Sequence, residues 1–463
     1  MLNNNKIKSF ENNILYKGHL ENEKYNKTTI FDRMKYYRTS ALSIAFIKDY
    51  KLEFSKAYGT KKRNSDEKID ENTLFQAASI SKAVFSVAVM RLVERKVLSL
   101  DEDVNNYLTS WKVPKNGNWQ PKITLRQILT HTAGTTVQGF EGYNLNDEIP
   151  TTIQVLNGEY PANSEAVIVD TIPGLSHRYS GGGFTIAQQV LVDVLKKPFP
   201  IIMKQLVLDD LNMNNSTYEQ PISVDYINNI SCGYGYTGEE VEGMYYVYPE
   251  MAAAGLWTTP SDLCKLGLEI QNILNGKKDG ILKLESVNEM LRKHCDIEGK
   301  IVRGIGFALV EDENRKNSKF LHSGENYGFE SEFVFYNEGG NGFVIMINSN
   351  QEKLLQEVSE TLEKVYELEG SSKEQIEIEN RSIDNYSGQY INKQKTKIYV
   401  KDELEKLYIQ VENQEAIEFK RKTKNTFISE EVNTKVELNI DKGGEKYIIL
   451  QQNEEENKYE KID

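Results

Sequence analysis

The sequence predicts an α/β fold of the α+β kind: an antiparallel sheet flanked by helices with a helical subdomain, then a small C-terminal antiparallel β-barrel. Three observations point there. β-Prone runs stand near the start and again after residue 300, with helical patterns between them, so strands from both ends can close one sheet. From Tyr386 onward, short alternating segments follow one another with polar turns and no helical pattern between them. The 463 residues exceed one ordinary core, which fits a large domain over 1–370, a linker over 371–380 and a barrel over 381–463.

Taken in order, residues 1–40 are polar, with a short helix expected over Phe31 to Tyr37. Ala41 to Lys48 and Leu52 to Tyr58 are apolar β-prone runs around Asp49-Tyr50-Lys51, which predicts a hairpin. A helix is expected from near Ser79 to Lys96, and another opens at Thr124 to Thr130 with Thr124 as its N-cap. Residues 100–300 read as mostly helical, with loops at Gly134, around Pro161 and at Gly233-Tyr234-Gly235. Ile305 to Val310, Glu332 to Tyr336 and Gly342 to Asn348 read as strands, and Leu354 to Leu368 as a helix. Gly370-Ser371-Ser372-Lys373-Glu374 has linker composition. Beyond it, Tyr386 to Tyr390, Lys397 to Val400, Leu407 to Val411, Ala416 to Phe419, Val436 to Ile440 and Tyr447 to Leu450 supply the barrel strands.

Bulk composition excludes several classes. With 39% hydrophobic and 27% charged residues the chain fits a soluble globular protein. A net charge of −13 leaves no basic surplus to neutralise phosphates, so nucleic-acid binding is not expected. No run approaches the ~20 apolar residues of a membrane span. Met1-Leu2-Asn3-Asn4-Asn5-Lys6 has no apolar stretch behind it. The expected location is therefore cytoplasmic as numbered, or extracytoplasmic if a leader was removed. Cys232, Cys264 and Cys295 lack CxxC spacing, and the five histidines form no HExxH, so neither a metal nor an organic cofactor is expected.

Chemistry enters at Ser79-Ile80-Ser81-Lys82. A serine and a lysine three apart share a helix face, and a desolvated lysine can activate the hydroxyl as a nucleophile. The same spacing occurs at Ser65-Asp66-Glu67-Lys68, but in the charged run from Lys61, where nothing would strip water from the amine. Ser79 is followed by Ala83, Val84, Val87, Ala88, Met90, Leu92 and Val93, the pattern of a helix buried on most sides.

Phe75-Gln76-Ala77-Ala78-Ser79-Ile80-Ser81-Lys82 resembles the nucleophile segment of serine β-lactamase-like proteins of the class C type. That group includes class C β-lactamases, D-alanyl-D-alanine carboxypeptidases, D-aminopeptidases and related esterases, some with a C-terminal lipocalin-like barrel. Four further segments match in order: Ile128-Leu129-Thr130-His131-Thr132-Ala133-Gly134, the tyrosine-bearing Pro173 to Gly181, Ala253 to Leu263, and His322-Ser323-Gly324 in place of a KTG or HxG triplet. The resemblance covers roughly residues 40–365 and implies a β-lactamase/transpeptidase-like sheet.

It also implies Tyr179 as the catalytic tyrosine. Tyr226-Ile227-Asn228 and Tyr390-Ile391-Asn392 match the family's YxN literally, but only Tyr179 has both the preceding Pro173-Gly174 turn and the following Gly181-Gly182-Gly183. Lys278-Asp279-Gly280 mimics KTG but falls in a polar turn, and His131, Trp257 and Asp262 are expected to be scaffold. By the same analogy the backbone amides of Ser79 and Glu325 would form an oxyanion hole. Two departures matter: Gly181 stands where class C enzymes use asparagine to hold an amide, and His322 stands where many use lysine. Histidine, with a reference pKa of ~6.5, is mostly neutral at pH 7, so the pocket should depend less on an anionic substrate group.

The expected reaction is acyl transfer through Ser79, with Lys82 and Tyr179 sharing the base role, on a small-molecule or peptide substrate: a D-amino peptide, ester or β-lactam. Lys82 would need its pKa lowered by ~3 units from ~10.4, roughly 4 kcal/mol. The alternative is a non-catalytic penicillin-binding or sensing protein on the same scaffold. Nothing in the sequence sets the oligomeric state.

Overall fold

A computed structural model describes residues 2–16, 26–277, 280–298, 301–312, 318–368, 386–393, 395–403, 406–411, 416–423, 426–429, 434–440, 446–452 and 455–462. The predicted linker over 371–380 and the first two residues of Lys278-Asp279-Gly280 lie outside the described residues. The chain divides into two compact units, the first built mainly from residues up to 371 and the second mainly from 372 onward.

The first unit is organised on one antiparallel eight-stranded sheet. Its strands are β1 (Ala41–Lys48), β2 (Lys51–Gly59), β3 (Cys295–Glu298), β4 (Ile301–Arg303), β5 (Ala308–Val310), β6 (Lys319–Asn326), β7 (Phe329–Tyr336) and β8 (Gly342–Ile347), in the spatial order β2-β1-β8-β7-β6-β5-β4-β3. Strands from both ends of the unit thus meet where β1 pairs with β8, Ile44 opposite Ile345. Side-chain alternation sends the two sets of residues to opposite faces. Ala41 and Ala45 of β1 join Phe333 and Phe335 of β7 in the main core, where α1 (Ile80–Glu94) and the later helix Pro260–Leu274 also pack. Leu42, Ile44 and Phe46 face the other way, onto Leu354, Val358 and Leu362 of the helix Glu352–Val365.

α1 is apolar almost all round, and twelve of its fifteen residues are buried, including Ser81, Lys82 and Ser86. Such a helix belongs inside a domain rather than on its surface. The next long helix, α2 (Gly181–Leu195), starts where the Ser180 hydroxyl accepts from the Gly183 N–H at 3.0 Å, an N-cap that satisfies an otherwise unpaired donor.

Several expectations are corrected. Residues 100–300 are less helical than their pattern suggests. Helices occupy Leu125–Leu129, Thr152–Asn157, Gly181–Leu195, Phe199–Met203, Met251–Ala254, Pro260–Leu274 and Leu284–Met290, while much of the rest is irregular chain whose aromatic residues are buried without forming helices. The same span also contains β3. The strand expected from Ile305 begins at Ala308, because Gly304 to Phe307 close a turn through the Gly304 N–H and Phe307 carbonyl. β6 has no apolar alternation beyond Phe320 and becomes visible only through its triplet. The polar start of the chain holds a helix, Leu2–Asn12, from which Phe10 is fully buried.

The second unit contains a closed eight-stranded antiparallel barrel. Tyr390 of its first strand pairs with Lys461 of its last, which removes the exposed edges. Tyr390, Ile398, Leu407, Phe427, Val436 and Ile448 fill its interior. Two of its strands, Thr426–Ile428 and Glu455–Lys461, were not anticipated because the first is short and the second is almost wholly polar.

Candidate active site

Ser79 occupies the turn that leads into α1, and the chain is held there from both sides. The Ala77 N–H donates to the Leu256 carbonyl at 2.8 Å, and the Ala77 carbonyl accepts from the Ser331 hydroxyl of β7 at 2.9 Å. Ser81 is used twice: its hydroxyl donates to the Ala78 carbonyl at 2.5 Å and accepts from the Leu256 N–H at 3.0 Å. Ala78 adopts φ +47°, a left-handed conformation that costs a non-glycine residue ~1 kcal/mol or more. The surrounding bonds hold the turn in place, so the Ser79 side chain stands half-exposed above a buried helix.

Lys82 lies one helical turn on, only 2% exposed. Its Nζ donates to Ser79 Oγ at 2.9 Å and to the Ala253 carbonyl at 2.8 Å. Burial pushes its pKa down, attraction from Tyr179 opposes that, and the Arg303 charge adds to the lowering. The direction is the one a general base requires.

Tyr179 joins this pair. Its ring centre is 5.0 Å from Lys82 Nζ, and the ring stacks on His131 at 4.2 Å with an interplanar angle of 29°. His131 is fixed in turn: its Nδ1 accepts from the Ser180 N–H at 3.1 Å, which leaves the proton of the neutral ring on Nε2. Burial and the cations Arg303 and Lys82 keep its pKa well below the usual range. The decoys stand elsewhere. Tyr226 lies among Lys204, Glu219, Asp225 and Asp262, and Tyr390 is inside the barrel, its hydroxyl on the Tyr386 carbonyl at 2.9 Å.

The triplet lies on β6, whose register sorts its backbone groups. Asn337 N–H donates to the Ser318 carbonyl, and β6 and β7 join in a two-residue hairpin at Asn326↔Phe329. Residues 320, 322, 324 and 326 therefore exchange hydrogen bonds with β7, while 319, 321, 323 and 325 point the other way. β5 occupies that other side only as far as Ala308, opposite Leu321. Ser323 and Glu325 thus turn their N–H and carbonyl groups away from β7, beyond the end of β5. Gly324 presses against the nucleophile turn: a Cβ there would fall 2.6 Å from Ser331 Oγ and 3.0 Å from Ser79 N, and would collide with the Ala77 carbonyl. β6 and the nucleophile turn are therefore in close contact at Gly324.

His322 is 5% exposed, and its Nδ1–H donates to the Ser323 carbonyl at 2.6 Å. Burial, then Arg303 and Lys82, lower its pKa to about 3, so the ring is neutral at pH 7. Its Nε2 is buried without a hydrogen-bond partner.

Sequence reasoning missed four contributors. Ala253 acts through its carbonyl, for which no residue type gives a signal. Asn326 Nδ2 donates to Gln76 Oε1 at 2.8 Å and to the Ala254 carbonyl at 3.1 Å, tying β6 to the strand before Ser79. Arg303, on β4, and His177 lie beside Tyr179 and His131: the Arg303 Cζ is 5.9 Å from the Tyr179 ring centre, and the His177 and His131 rings are 5.9 Å apart. Gly181 has no room for a side chain, since a Cβ there would lie 2.9 Å from Phe140 Cε2. Among the described residues no group of three or more His, Cys, Asp or Glu could hold a metal ion, and no helix is long and apolar enough to cross a membrane.

The chain is similar to known proteins. The family model described as Beta-lactamase matches residues 27–364. Protein flp of Staphylococcus aureus (strain MRSA252) is 24% identical over 319 residues, 67% of this chain and 60% of the relative, so the match spans about three-fifths of that relative's length. Esterase EstB of Burkholderia gladioli is 30% identical over 114 residues, 24% of this chain and 29% of EstB. Among solved structures, the octameric penicillin-binding protein homologue from Pyrococcus abyssi superposes with a TM-score of 0.65 at 18% identity, over 93% of this chain and 98% of that one. At that identity the likeness is one of fold.

Proposed function

The chain belongs to the beta-lactamase family, and from that premise we propose that it is a serine hydrolase that cleaves an ester or amide through an acyl-enzyme on Ser79. The observation that carries this reading is the 2.9 Å bond between Lys82 Nζ and Ser79 Oγ inside a site that lowers the lysine's pKa.

In the proposed reaction Ser79 Oγ attacks the substrate carbonyl carbon as its proton passes to Lys82 or Tyr179. The developing oxyanion accepts hydrogen bonds from the N–H groups of Ser79 and Glu325, donors worth ~3–4 kcal/mol each in such sites. The proton is then delivered to the leaving oxygen or nitrogen, and the carbon–heteroatom bond breaks. Water, giving its proton to the same base, attacks the acyl-serine and releases the acid, restoring Ser79. Lys82 and Tyr179 share one proton relay.

Ester and simple amide substrates are favoured over β-lactams. Phe140 closes the space beside Gly181 where a side chain could hold an amide. The esterase relative fits this preference. The test is a panel of p-nitrophenyl esters, a D-alanyl-D-alanine peptide and nitrocefin, run with wild type and Ser79→Ala. Wild type should turn over an ester and be labelled by a fluorophosphonate, and Ser79→Ala should do neither. A Ser79→Ala variant that retains both activities overturns the proposal.

A further inference from the structure

Arg303 ends β4, opposite Cys295 on β3 and Ala308 on β5, and is 7% exposed. Its Nε is buried with no hydrogen-bond partner, and among the described residues no carboxylate forms an ion pair with it. A guanidinium cannot shed its charge at neutral pH, so burying one unpaired is unfavourable unless something else completes it. Burial does pull its pKa below the usual arginine range, the signature of that cost.

Its neighbours do not complete it. Lys82, His131, His177 and His322 are all pushed toward their neutral forms, each partly by the Arg303 charge itself. Two of these rings also present buried nitrogens without partners, His177 Nε2 and His322 Nε2. Among the described residues the site therefore carries one fixed positive charge and no fixed negative one, beside the Tyr179 ring.

We propose that Arg303 is a specificity-determining residue that binds a carboxylate of the substrate, so the preferred ester or amide is a monoanion. The planar fork of a guanidinium matches a carboxylate, and one lasting charge suits a monoanion better than a phosphate dianion. The charge that His322 does not supply is thereby provided from β4. This inference rests on the acyl-enzyme reading, because it names the substrate class of the same site.

The experiment compares two p-nitrophenyl esters of glutaric acid, one with the distal carboxylate free and one with it methylated, on wild type, Arg303→Gln and Arg303→Lys. Fluorophosphonate labelling serves as a neutral control for folding and for Ser79. Wild type should favour the free acid by about 10-fold or more in kcat/KM, in line with a charged hydrogen-bonded contact. Arg303→Gln should erase that preference, so that the free acid and the methylated ester react within about 3-fold of each other, while fluorophosphonate labelling still reports a reactive Ser79. Arg303→Lys, which keeps charge but loses the fork, should retain part of the preference, and it decides the matter if the glutamine variant does not fold. Equal reactivity of the two esters on wild type, or a parallel loss on both in the folded variants, overturns the inference. Failure of the fluorophosphonate to label wild type would instead overturn the acyl-enzyme reading.

Discussion

Ser65-Asp66-Glu67-Lys68 and Ser79-Ile80-Ser81-Lys82, fourteen positions apart, each place a lysine three residues after a serine. In the first, Ser65 Oγ accepts from the Glu67 N–H at 3.1 Å, closing a local turn, and Lys68 is exposed. In the second, Lys82 is buried, bonded to Ser79 Oγ and to the Ala253 carbonyl, and its pKa is lowered by burial. The difference lies in what surrounds each lysine. Only a core helix beneath it and a β-strand beside it turn the pair into a reactive one.

The largest expected effect comes from removing that difference. Lys82→Ala should slow fluorophosphonate labelling of Ser79 by about 10²–10⁴-fold, the range for loss of a general base, while Lys68→Ala should leave the rate unchanged. Labelling kinetics on the two variants decide it; equal effects would break the contrast. Next is Gly324→Ala. Its methyl group would push β6 off the nucleophile turn and displace the Glu325 amide, costing about 10²-fold in kcat with smaller change in KM. Steady-state kinetics on an activated ester would measure it.

A smaller effect is expected at His131. Replacing it with leucine removes the stack under Tyr179 and the acceptor for the Ser180 N–H, so a loss of about 10-fold in kcat should accompany a small loss of stability. His131→Asn, which can still accept a hydrogen bond, should recover stability but not rate.

The smallest effect extends the burial contrast to carboxyls and pH. Glu250 and Glu330 are buried, and burial raises their pKa values to about 8 and about 9. Their folded forms hold protons that the unfolded chain has already lost above pH 4.5, so each lowers stability as pH rises from there toward its own raised pKa. His131, His177 and His322 are lowered, so the unfolded chain binds the extra protons below the usual histidine range, and stability rises with pH up to about 6.5. Thermal unfolding across pH should therefore peak between about 6 and 7, and Glu330→Gln should flatten the alkaline side.

How much of this was legible varies with the kind of signal. Ser79 and Lys82 are sequence neighbours within an apolar pattern, so their pairing could be read directly, and two apolar β-prone runs around Asp49-Tyr50-Lys51 made the β1–β2 hairpin equally plain. β6 was found through its triplet alone, since Ser323-Gly324-Glu325-Asn326 has no strand pattern. β3 and β4 are only four and three residues long, too short for a periodic pattern, and the aromatic-rich loops between residues 100 and 250 owe their burial to distant partners rather than to helical periodicity. Arg303 illustrates the limit. A lone arginine beside a glycine reads as a solvated charge, and only the folded neighbours leave its guanidinium buried and unpaired.

The central claim is that, of two identical spacings, only Ser79 is a nucleophile. Its most direct test is peptide mapping by mass spectrometry of wild type trapped with an activated ester or a fluorophosphonate. A single adduct on Ser79, with Ser65 unmodified, is the predicted result. An adduct mapped to Ser65 or Ser323, or turnover of the ester with no covalent adduct and no dependence on Ser79, would contradict it.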